Sequence, residues 1–420
     1  MKPLRRLSAI EANMAWHHTL YAGSTQVSTL LSLRVTAPWP DVAAAAAALR
    51  QRHALLRCTI AEHDGELWFE EPDDLDNVDV DTRELPPALS TEAALRNESN
   101  RPVDPARALW RLLALRDQQS SVLHLVFTRH HAMSDAFTSQ VLLTDLVALL
   151  EGRSGAAPSA ALSAGADALW QERPHAPQPP PVQAFPALPH AAPFAPGTVH
   201  TSFHSVGLSP AESQQLYARA RSVGLTINAL ASAALAQSYC DTLDQDGCQY
   251  MTAVSLRDRL APGRRITDIG CMIGVQACAL STRDRNIEAV ARDYHQSLMA
   301  GLDAYRPPPL SHAAIRQRLA GLADARHFGG IGITNMGKLD GQITYQGQAP
   351  LQYLTVVNRN ACAAPFVLHL STFGQSLWMT FTYPEKVANE ELVLAVAEGS
   401  RQRLRQFAMR CAEEGMLADA

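Results

Sequence analysis

The residues with the clearest chemical potential lie in the stretch FTRHHAMSDAF, residues 127–137. His130 and His131 are adjacent at the end of an apolar run, and Asp135 follows His131 by four residues. An imidazole takes and gives a proton near neutral pH, so a histidine here is suited to general acid–base chemistry. From these residues alone, two hydrogen-bonded histidines without a chemical role are the more common arrangement. Asp135 either shares a helical face with His131, serves the N-terminus of the next helix, or pairs with a distant cation.

The segments around this stretch predict rigid elements on both sides of it, and functional loops are commonly held in this way. Residues 121–129 are a compact apolar run of strand length, and residues 136–152 repeat leucines at helical spacing. Earlier in the chain, residues 28–35 predict a strand, residues 41–53 predict a helix, and residues 55–71 predict a hairpin with an Asp-Gly turn.

The second half of the chain shows the same alternation of strands and helices. Ser209, Pro210 and Glu212 form a helix start signal, with a capping residue, a first-turn proline and a capping box. Residues 225–240 predict an Ala-rich helix, and residues 389–410 predict an amphipathic closing helix. Strands are predicted at residues 200–208, 249–257, 274–280, 329–336, 366–373 and 376–383. The whole pattern predicts an α/β fold of layered sandwiches.

One break in composition suggests how the chain is divided. Residues 152–197 are dominated by Ala, Pro, Ser and Gly, and nine prolines fall between Pro174 and Pro196. Such a density of proline favours an extended, semi-rigid connector over a helix or a central strand. We predict an N-terminal half at residues 1–165, a crossover linker at residues 166–197, and a C-terminal half at residues 198–420.

The 420-residue chain has a globular composition, with 47% hydrophobic and 18% charged residues. A formal net charge of −5 argues against a nucleic-acid-binding surface as the main function. No apolar run approaches the ~18 residues of a membrane-spanning helix. Glu11 interrupts the position where a signal peptide needs its apolar core. We therefore expect a cytoplasmic protein without an integral membrane segment. We also expect a monomer.

The sequence gives little support for a metal site, a dinucleotide-binding site or a covalent enzyme intermediate. The seven cysteines form no CxxC pair and no zinc-type spacing with histidines, so no metal site is expected. His17 and His18 are expected to be exposed or hydrogen-bonded. The stretch GGIGITNMG, residues 329–337, does not lead into a helix and fits a dinucleotide site poorly. No G-x-S-x-G elbow occurs, and no cysteine adjoins a histidine in sequence, so no covalent intermediate is expected.

Several stretches together resemble one family. HHAMSDA, residues 130–136, is similar to the HHxxxDG motif of the condensation-type acyltransferases. These include the condensation domains of nonribosomal peptide synthetases and polyketide-associated enzymes such as the phthiocerol dimycocerosyl transferases. Carnitine and chloramphenicol acetyltransferases are more distant members. Further similarity occurs in the family's order, over nearly the whole chain, in LRQRHALLR, AVSLRDR, GCMIGVQACAL, ITNMGKL and FVLHLSTFGQSLWMTFTYPEKV.

The resemblance implies two chloramphenicol-acetyltransferase-like halves that form a V, with the active site in a tunnel between them. It implies that His131 is the general base on the acceptor and that His130 is mainly structural. Asp135 is expected to hold the loop through an ion pair with Arg257, and Arg259 is the alternative partner.

Three further residues follow from the same resemblance. Asn335 and Thr334 lie where family members bring polar groups close to the tunnel. For Asn335, a contact with the oxyanion and a simple strand-end turn both stay open. Ala136 replaces the glycine of the motif, which in the family allows close backbone approach in the donor channel.

The function implied is that of a stand-alone condensation-type acyltransferase. It transfers an acyl group from a phosphopantetheine thioester, on coenzyme A or on a carrier protein acting in trans, to an alcohol or an amine. Attack is direct, no cofactor is bound, and the thioester is a co-substrate. The alternative is a catalytically silent condensation-like domain that recruits a partner enzyme or a carrier protein.

Overall fold

The computed structural model describes residues 2–73, 78–153, 162–170, 198–260, 269–307, 309–321, 330–339, 341–360, 364, 366–385 and 387–418. These residues form three β-sheets with helices packed against them. The predicted α/β class of layered sandwiches is confirmed.

The elements are numbered in chain order. The described strands are β1 (Lys2–Arg6), β2 (Val27–Arg34), β3 (Thr59–His63), β4 (Glu66–Glu71), β5 (Asp79–Glu84), β6 (Trp110–Asp117), β7 (Val122–Arg129), β8 (Thr201–Gly207), β9 (Gly247–Ser255), β10 (Ile273–Ser281), β11 (Ile331–Lys338), β12 (Gln352–Val357), β13 (Val367–Phe373) and β14 (Ser376–Pro384). The described α-helices are α1 (Ala9–Leu20), α2 (Val42–Arg52), α3 (Thr91–Asn100), α4 (Ala136–Leu150), α5 (Ala166–Leu169), α6 (Pro210–Ser222), α7 (Ile227–Thr242), α8 (Ile287–Ala304), α9 (His312–Ala320) and α10 (Glu390–Ala418).

The strands and helices predicted from the sequence are present, and most of their ends agree within a few residues. The closing helix α10 differs most, because it continues to Ala418. The predicted Asp-Gly turn joins β3 and β4, and both of its residues, Asp64 and Gly65, have positive φ, as a tight hairpin turn requires. Glu11 lies in the first turn of α1, where its carboxylate accepts hydrogen bonds from the backbone amide and the hydroxyl of Ser8.

The first large sheet supports the stretch that carries the histidine pair. Its strand order is β12-β2-β7-β6-β5, and β7 pairs antiparallel with β2 and β6. Every residue of β7 is buried, because alternate side chains enter two cores. Leu125 and Phe127 pack in the core that includes α1, α2 and α4, whereas Val126 packs in the core that includes α3. This double burial explains why most residues of the strand are apolar on both of its faces.

The second large sheet has six strands and belongs to the C-terminal half. Its order is β10-β9-β11-β13-β14-β8, and β11 runs parallel to both of its neighbours. The helices α6, α7, α8 and α10 share one core with one face of this sheet. The helix α7 is buried from Ala229 to Cys240 because α8 and α10 pack against it. Ser209 and Glu212 form the predicted capping box at the start of α6.

One strand crosses from the C-terminal half into the first sheet. β12 pairs antiparallel with β2, with Gln352 opposite Ser32 and Val357 opposite Val27. No local pattern in the sequence predicts the pairing of β12 with β2. The proposed boundaries of the two halves stay a prediction, and most of the proline-rich linker, residues 171–197, lies outside the described residues.

Among the helices in the described parts of the chain, none has the length and apolar character needed to cross a bilayer.

A glycine at the start of β11 gives a test of this sheet. Gly330 has φ of +118°, and a Cβ there would overlap the backbone carbonyl of Gln249. Gly330→Ala should therefore lower the free energy of unfolding by clearly more than the ~1–2 kcal/mol expected for left-handed strain alone. Gly224→Ala is the matched control, since Gly224 has φ of +67° with open space around it. Urea unfolding of both variants measures the difference, and equal losses would contradict the described packing of β11 on β9.

Candidate active site

The stretch with the histidine pair forms the turn between β7 and α4. β7 ends at Arg129, a short 3-10 helix spans His131–Met133, and α4 begins at Ala136. Both ends of the turn are held firmly, because β7 is buried along its length and α4 is capped. The imidazole of His131 therefore has a defined position relative to both elements.

His130 faces the interior of the N-terminal half. Its Nδ1 accepts a hydrogen bond from the Ala132 amide at 3.1 Å, which closes the turn. Its ring lies against that of His18, with 4.4 Å between the ring centres. Burial, together with the neighbouring His18 and His131, holds the pKa of His130 well below its ordinary value, so this ring is neutral at pH 7.

Asp135 performs two of the three tasks that its spacing allowed. Its Oδ1 accepts a hydrogen bond from the Thr138 amide at 2.8 Å and so caps α4. Its carboxylate also accepts two hydrogen bonds from Arg257, at 2.5 Å and 3.1 Å. Oδ2 accepts a third bond across the halves, from the Met272 amide at 3.0 Å. Asp135 is buried, so this pair is shielded from water.

Arg257 binds several groups besides Asp135. Its Nη2 donates to Thr138 Oγ1 and to the Gly270 carbonyl, at 3.2 Å and 3.3 Å. Its guanidinium also lies over the Phe137 ring, 4.6 Å from the ring centre. Arg259, the alternative partner from the sequence, points elsewhere and donates to the Leu302 carbonyl and to Asp303. The geometry therefore selects Arg257.

A cavity of about 490 Å³ lies between the two halves, and His131 forms part of its wall. This volume falls in the range of small-molecule sites in proteins. Side chains from both halves line it, among them Met14, Phe137, Met251, Ile333 and Val367. Along β9, residues 251 and 253 face the cavity while Tyr250 packs into the helical core, as the two-residue period of a strand dictates.

Burial lowers the pKa of His131 below its ordinary value. Hydrogen bonding to backbone groups of His131 itself and of Ser134, together with the charge of Asp135, acts in the opposite direction. The net result is a neutral imidazole at pH 7, which is the form that accepts a proton.

The Sγ of Cys271 lies 3.8 Å from Nδ1 of His131, and burial raises the pKa of this thiol well above its usual range.

Two further histidines line the same cavity. His17 comes from α1, and its Nδ1 lies 3.0 Å and 3.1 Å from two oxygens of Asn13, so it is one of the hydrogen-bonded histidines that the sequence allowed. His369 comes from β13 and lies 3.0 Å from Thr382 Oγ1. Burial lowers their pKa values to about 4 and about 3, respectively, so both rings are neutral at pH 7.

The remaining candidates from the sequence also line the cavity. Thr334 and Asn335 lie near the end of β11, and Ala136 is the first residue of α4. The Oδ1 of Asn335 accepts a hydrogen bond from the Gly337 amide at 2.8 Å, which is the strand-end turn that the sequence left open. The Cβ of Ala136 occupies wall space that a glycine would leave empty.

Sequence reasoning missed Cys271, His369 and Arg359 as part of this site, although all three lie at or beside the cavity. Each comes from a strand or loop of the C-terminal half, more than a hundred residues from His131. Only the pairing of the sheets brings them together. Within the described residues, no cluster of three or more His, Cys, Asp or Glu side chains has an arrangement suited to a metal ion.

Comparison with known proteins identifies the family that this fold resembles. Residues 197–347 match the family model described as the C-terminus of phthiocerol/phthiodiolone dimycocerosyl transferase. A search of curated protein sequences finds no match. The family resemblance stated from the sequence is thus supported in the C-terminal half by an independent comparison.

Solved structures of the same fold cover almost the whole chain. Polyketide synthase associated protein 5 from Mycobacterium tuberculosis matches with a TM-score of 0.69 and 18% identity, over 97% of this chain and 98% of that one. The TRI3 trichothecene 15-O-acetyltransferase from Fusarium sporotrichioides matches with a TM-score of 0.73 and 14% identity, over 96% and 95%. The first condensation domain of the CDA synthetase matches with a TM-score of 0.66 and 14% identity, over 96% of each chain. The chain has the fold of condensation-type acyltransferases.

The ion pair between the halves can be tested by removing its negative charge. Asp135→Asn leaves the Arg257 cation buried without a counter-charge, so we expect a loss of roughly 3 kcal/mol in the free energy of unfolding. Asp303→Asn is the matched control, because the Asp303 side chain is half exposed and its pair with Arg259 is expected to contribute less than about 1 kcal/mol. Urea unfolding of both variants measures the two losses in the free energy of unfolding. A loss in Asp135→Asn no larger than that in Asp303→Asn would show that the buried pair does not hold the halves together.

Proposed function

We propose that this protein transfers an acyl group from a phosphopantetheine thioester to an alcohol or an amine, with His131 as the general base. The observation that carries the proposal is the position of His131, whose neutral imidazole lines a cavity that both halves share. A base in such a cavity reaches an acceptor and a donor that enter from different sides. The donor is coenzyme A or a carrier protein that acts in trans.

The reaction needs no covalent enzyme intermediate. The oxygen of the acceptor alcohol, or the nitrogen of a neutral acceptor amine, attacks the thioester carbonyl carbon. His131 removes the proton from that oxygen or nitrogen during the attack. The resulting tetrahedral oxyanion collapses, the carbon–sulfur bond breaks, and the leaving thiolate takes the proton back from the imidazolium. Thr334 and Asn335 supply polar groups in the same wall for the developing oxyanion.

In this proposal the surrounding residues position the base. Asp135 and Arg257 fix the turn against the C-terminal half through their paired hydrogen bonds. His130 closes the turn from inside the N-terminal half. Ala136 narrows the donor channel by one methyl group where the family motif has a glycine.

Cys271 is the other group that deserves a chemical test, because its Sγ is close to the imidazole. A cysteine attacks as the thiolate, and burial keeps this thiol protonated at pH 7. We therefore assign the chemistry to direct attack by the acceptor, with the thiol as a neutral neighbour of the ring.

Turnover assays test the base directly. We expect purified protein incubated with acyl-coenzyme A or an acyl carrier protein, plus simple alcohols and amines, to give acyl product detectable by mass spectrometry. His131→Ala should reduce the rate by about 10²–10⁴-fold, which is the usual contribution of a positioned base. His295→Ala, at an exposed position on α8, should leave it unchanged.

Three other results would redirect the assignment. A loss of less than about tenfold in His131→Ala would show that another group is the base. A comparable loss in Cys271→Ala, with an acylated Cys271 trapped in wild-type protein, would replace direct attack by a covalent route. A wild-type protein that gives no product with any donor, yet binds a carrier protein, would favour a silent recruiting domain.

The pH dependence of turnover should reflect the buried position of the base. The reaction requires neutral His131, and burial lowers its pKa below the ordinary value of 6.5. With an alcohol as acceptor, kcat/KM should therefore decline on the acidic side with a midpoint below pH 6.5. His17 and His369, with pKa values of about 4 and about 3, lose their neutral form only at still lower pH. An acidic limb centred above 6.5 would contradict this environment for His131.

A further inference from the structure

Two neighbouring strands in the cavity wall separate before either of them ends. The parallel ladder between β9 and β11 stops with Thr334 opposite Ala253. β9 nevertheless continues to Ser255, and β11 continues to Lys338. The space between these two strand ends is called the β9–β11 split. Its flanking residues line the same cavity as His131, and they are Val254, Ser255, Asn335, Met336 and Gly337.

The hydrogen bonds of each strand show which backbone groups face the split. Along a strand, the N–H and C=O of successive residues point alternately to one neighbour and to the other. The Leu256 amide donates to the residue directly before β10, so the amide of Ser255 faces β11. The Gly332 amide donates to the residue directly before β13, so the carbonyl of Asn335, three residues later, faces β9.

The Ser255 amide and the Asn335 carbonyl are the groups that a longer ladder would join next. The recorded pairing of the two strands ends one residue before that bond. The side chains beside these groups are turned to backbone of their own segments. Asn335 Oδ1 accepts from the Gly337 amide at 2.8 Å, and Ser255 Oγ accepts from the Arg257 amide at 3.4 Å. Ser255 and Asn335 are both exposed, so the split is open to a ligand that enters from solvent.

A neighbouring carbonyl beside the split already binds an amide group. Nε2 of Gln140, on α4 in the other half of the chain, donates to the carbonyl of Met336. Gln140 itself lines the cavity. A carboxamide that reaches across the cavity thus finds a partner in this part of the β11 backbone.

We propose that the β9–β11 split binds a secondary amide of the pantetheine arm of the acyl donor. The C=O and N–H of one secondary amide point in opposite directions, so a single amide reaches both strands. Its carbonyl accepts from the Ser255 amide, and its N–H donates to the Asn335 carbonyl, as an added strand would do.

The inference rests on the proposed acyl transfer and adds a site for its donor. Pantetheine is an extended chain that carries secondary amides, and coenzyme A and carrier proteins have it in common. A peptide bond in the acyl group or in the acceptor is another source of the same chemistry. The arm is favoured because every thioester donor of the proposed reaction contains it.

Binding measurements test the inference without any need for turnover. The probes are S-butylpantetheine, a thioether that has no acyl group to transfer, and analogues in which one amide at a time is replaced by an ester. An ester resembles the amide in shape and lacks its N–H donor. In calorimetric titrations of wild-type protein, at least one replacement should weaken binding by about fivefold or more.

A matched pair of variants tests the protein side of the contact. Ser255→Pro removes the backbone donor, whereas Ser255→Ala keeps the donor and removes only the hydroxyl. S-butylpantetheine should bind Ser255→Pro at least about fivefold more weakly than it binds Ser255→Ala. Urea unfolding checks that both variants are folded. The comparison of amide with ester in wild-type protein decides the question if Ser255→Pro does not fold.

Three results would overturn the proposal. One is a wild-type protein that binds S-butylpantetheine and all of its ester analogues equally well. Another is a folded Ser255→Pro variant that binds S-butylpantetheine as tightly as Ser255→Ala does. The third is a loss in Ser255→Pro that is absent with S-butylpantetheine and present with an N-acetylated, C-amidated glycine dipeptide. That result would assign the split to a peptide substrate.

Turnover separates this inference from the proposed reaction. A protein that transfers the butyryl group with equal kcat/KM from butyrylpantetheine and from each ester analogue would retain the reaction and refute the amide site. A protein that shows the amide preference in binding but gives no acyl product with any acceptor would retain the site and refute the reaction.

Discussion

The buried pair of Asp135 and Arg257 is the interaction on which the site depends. Asp135 belongs to the N-terminal half and Arg257 to the C-terminal half, so their hydrogen bonds join the two walls of one cavity. Removing two charges from water is costly, and here further N–H groups bind the carboxylate, from Thr138 and Met272. The carboxylate also caps α4, which begins directly after the turn. One side chain therefore both caps a helix and binds the opposite half.

Burial then determines the protonation state of nearly every other group in the cavity. It lowers the pKa of His17, His131 and His369 and raises that of Cys271. The ionic forms are disfavoured in each case because the low-dielectric wall solvates charge poorly. Among the described residues of the cavity wall, the side chains that stay charged at pH 7 are Asp135, Arg257 and Arg359. The neutral imidazole of His131 and the protonated thiol of Cys271 at pH 7 are thus two results of the same desolvated environment.

The sequence predicted the local parts of this arrangement well and the long-range parts poorly. Strand β7 and helix α4 follow from apolar periodicity, and the start of α6 follows from the spacing of Ser209 and Glu212, because those signals act within a few residues. The family resemblance already favoured Arg257 over Arg259, but coordinates were needed to show which side chain reaches Asp135, since both residues follow the same strand. The pairing of β12 with β2 joins residues more than three hundred positions apart, and no local pattern encodes it. His369 and Arg359 entered the site only through such pairings.

The chemistry of the site depends on few side chains, because backbone groups supply much of its geometry. The Ala132 amide holds His130, the Met272 amide holds Asp135, and the Gly270 carbonyl accepts from both Arg257 and Thr138. A backbone amide or carbonyl is present whatever the side chain, so these contacts set little restriction on sequence. The side chains whose chemistry cannot be replaced in the proposed mechanism are His131, Asp135 and Arg257. The fold is shared with structural relatives at only 14–18% identity. Wall residues such as Ala136 contact the cavity without belonging to that small set, so a substitution there changes the shape of the cavity and leaves the proposed chemistry in place.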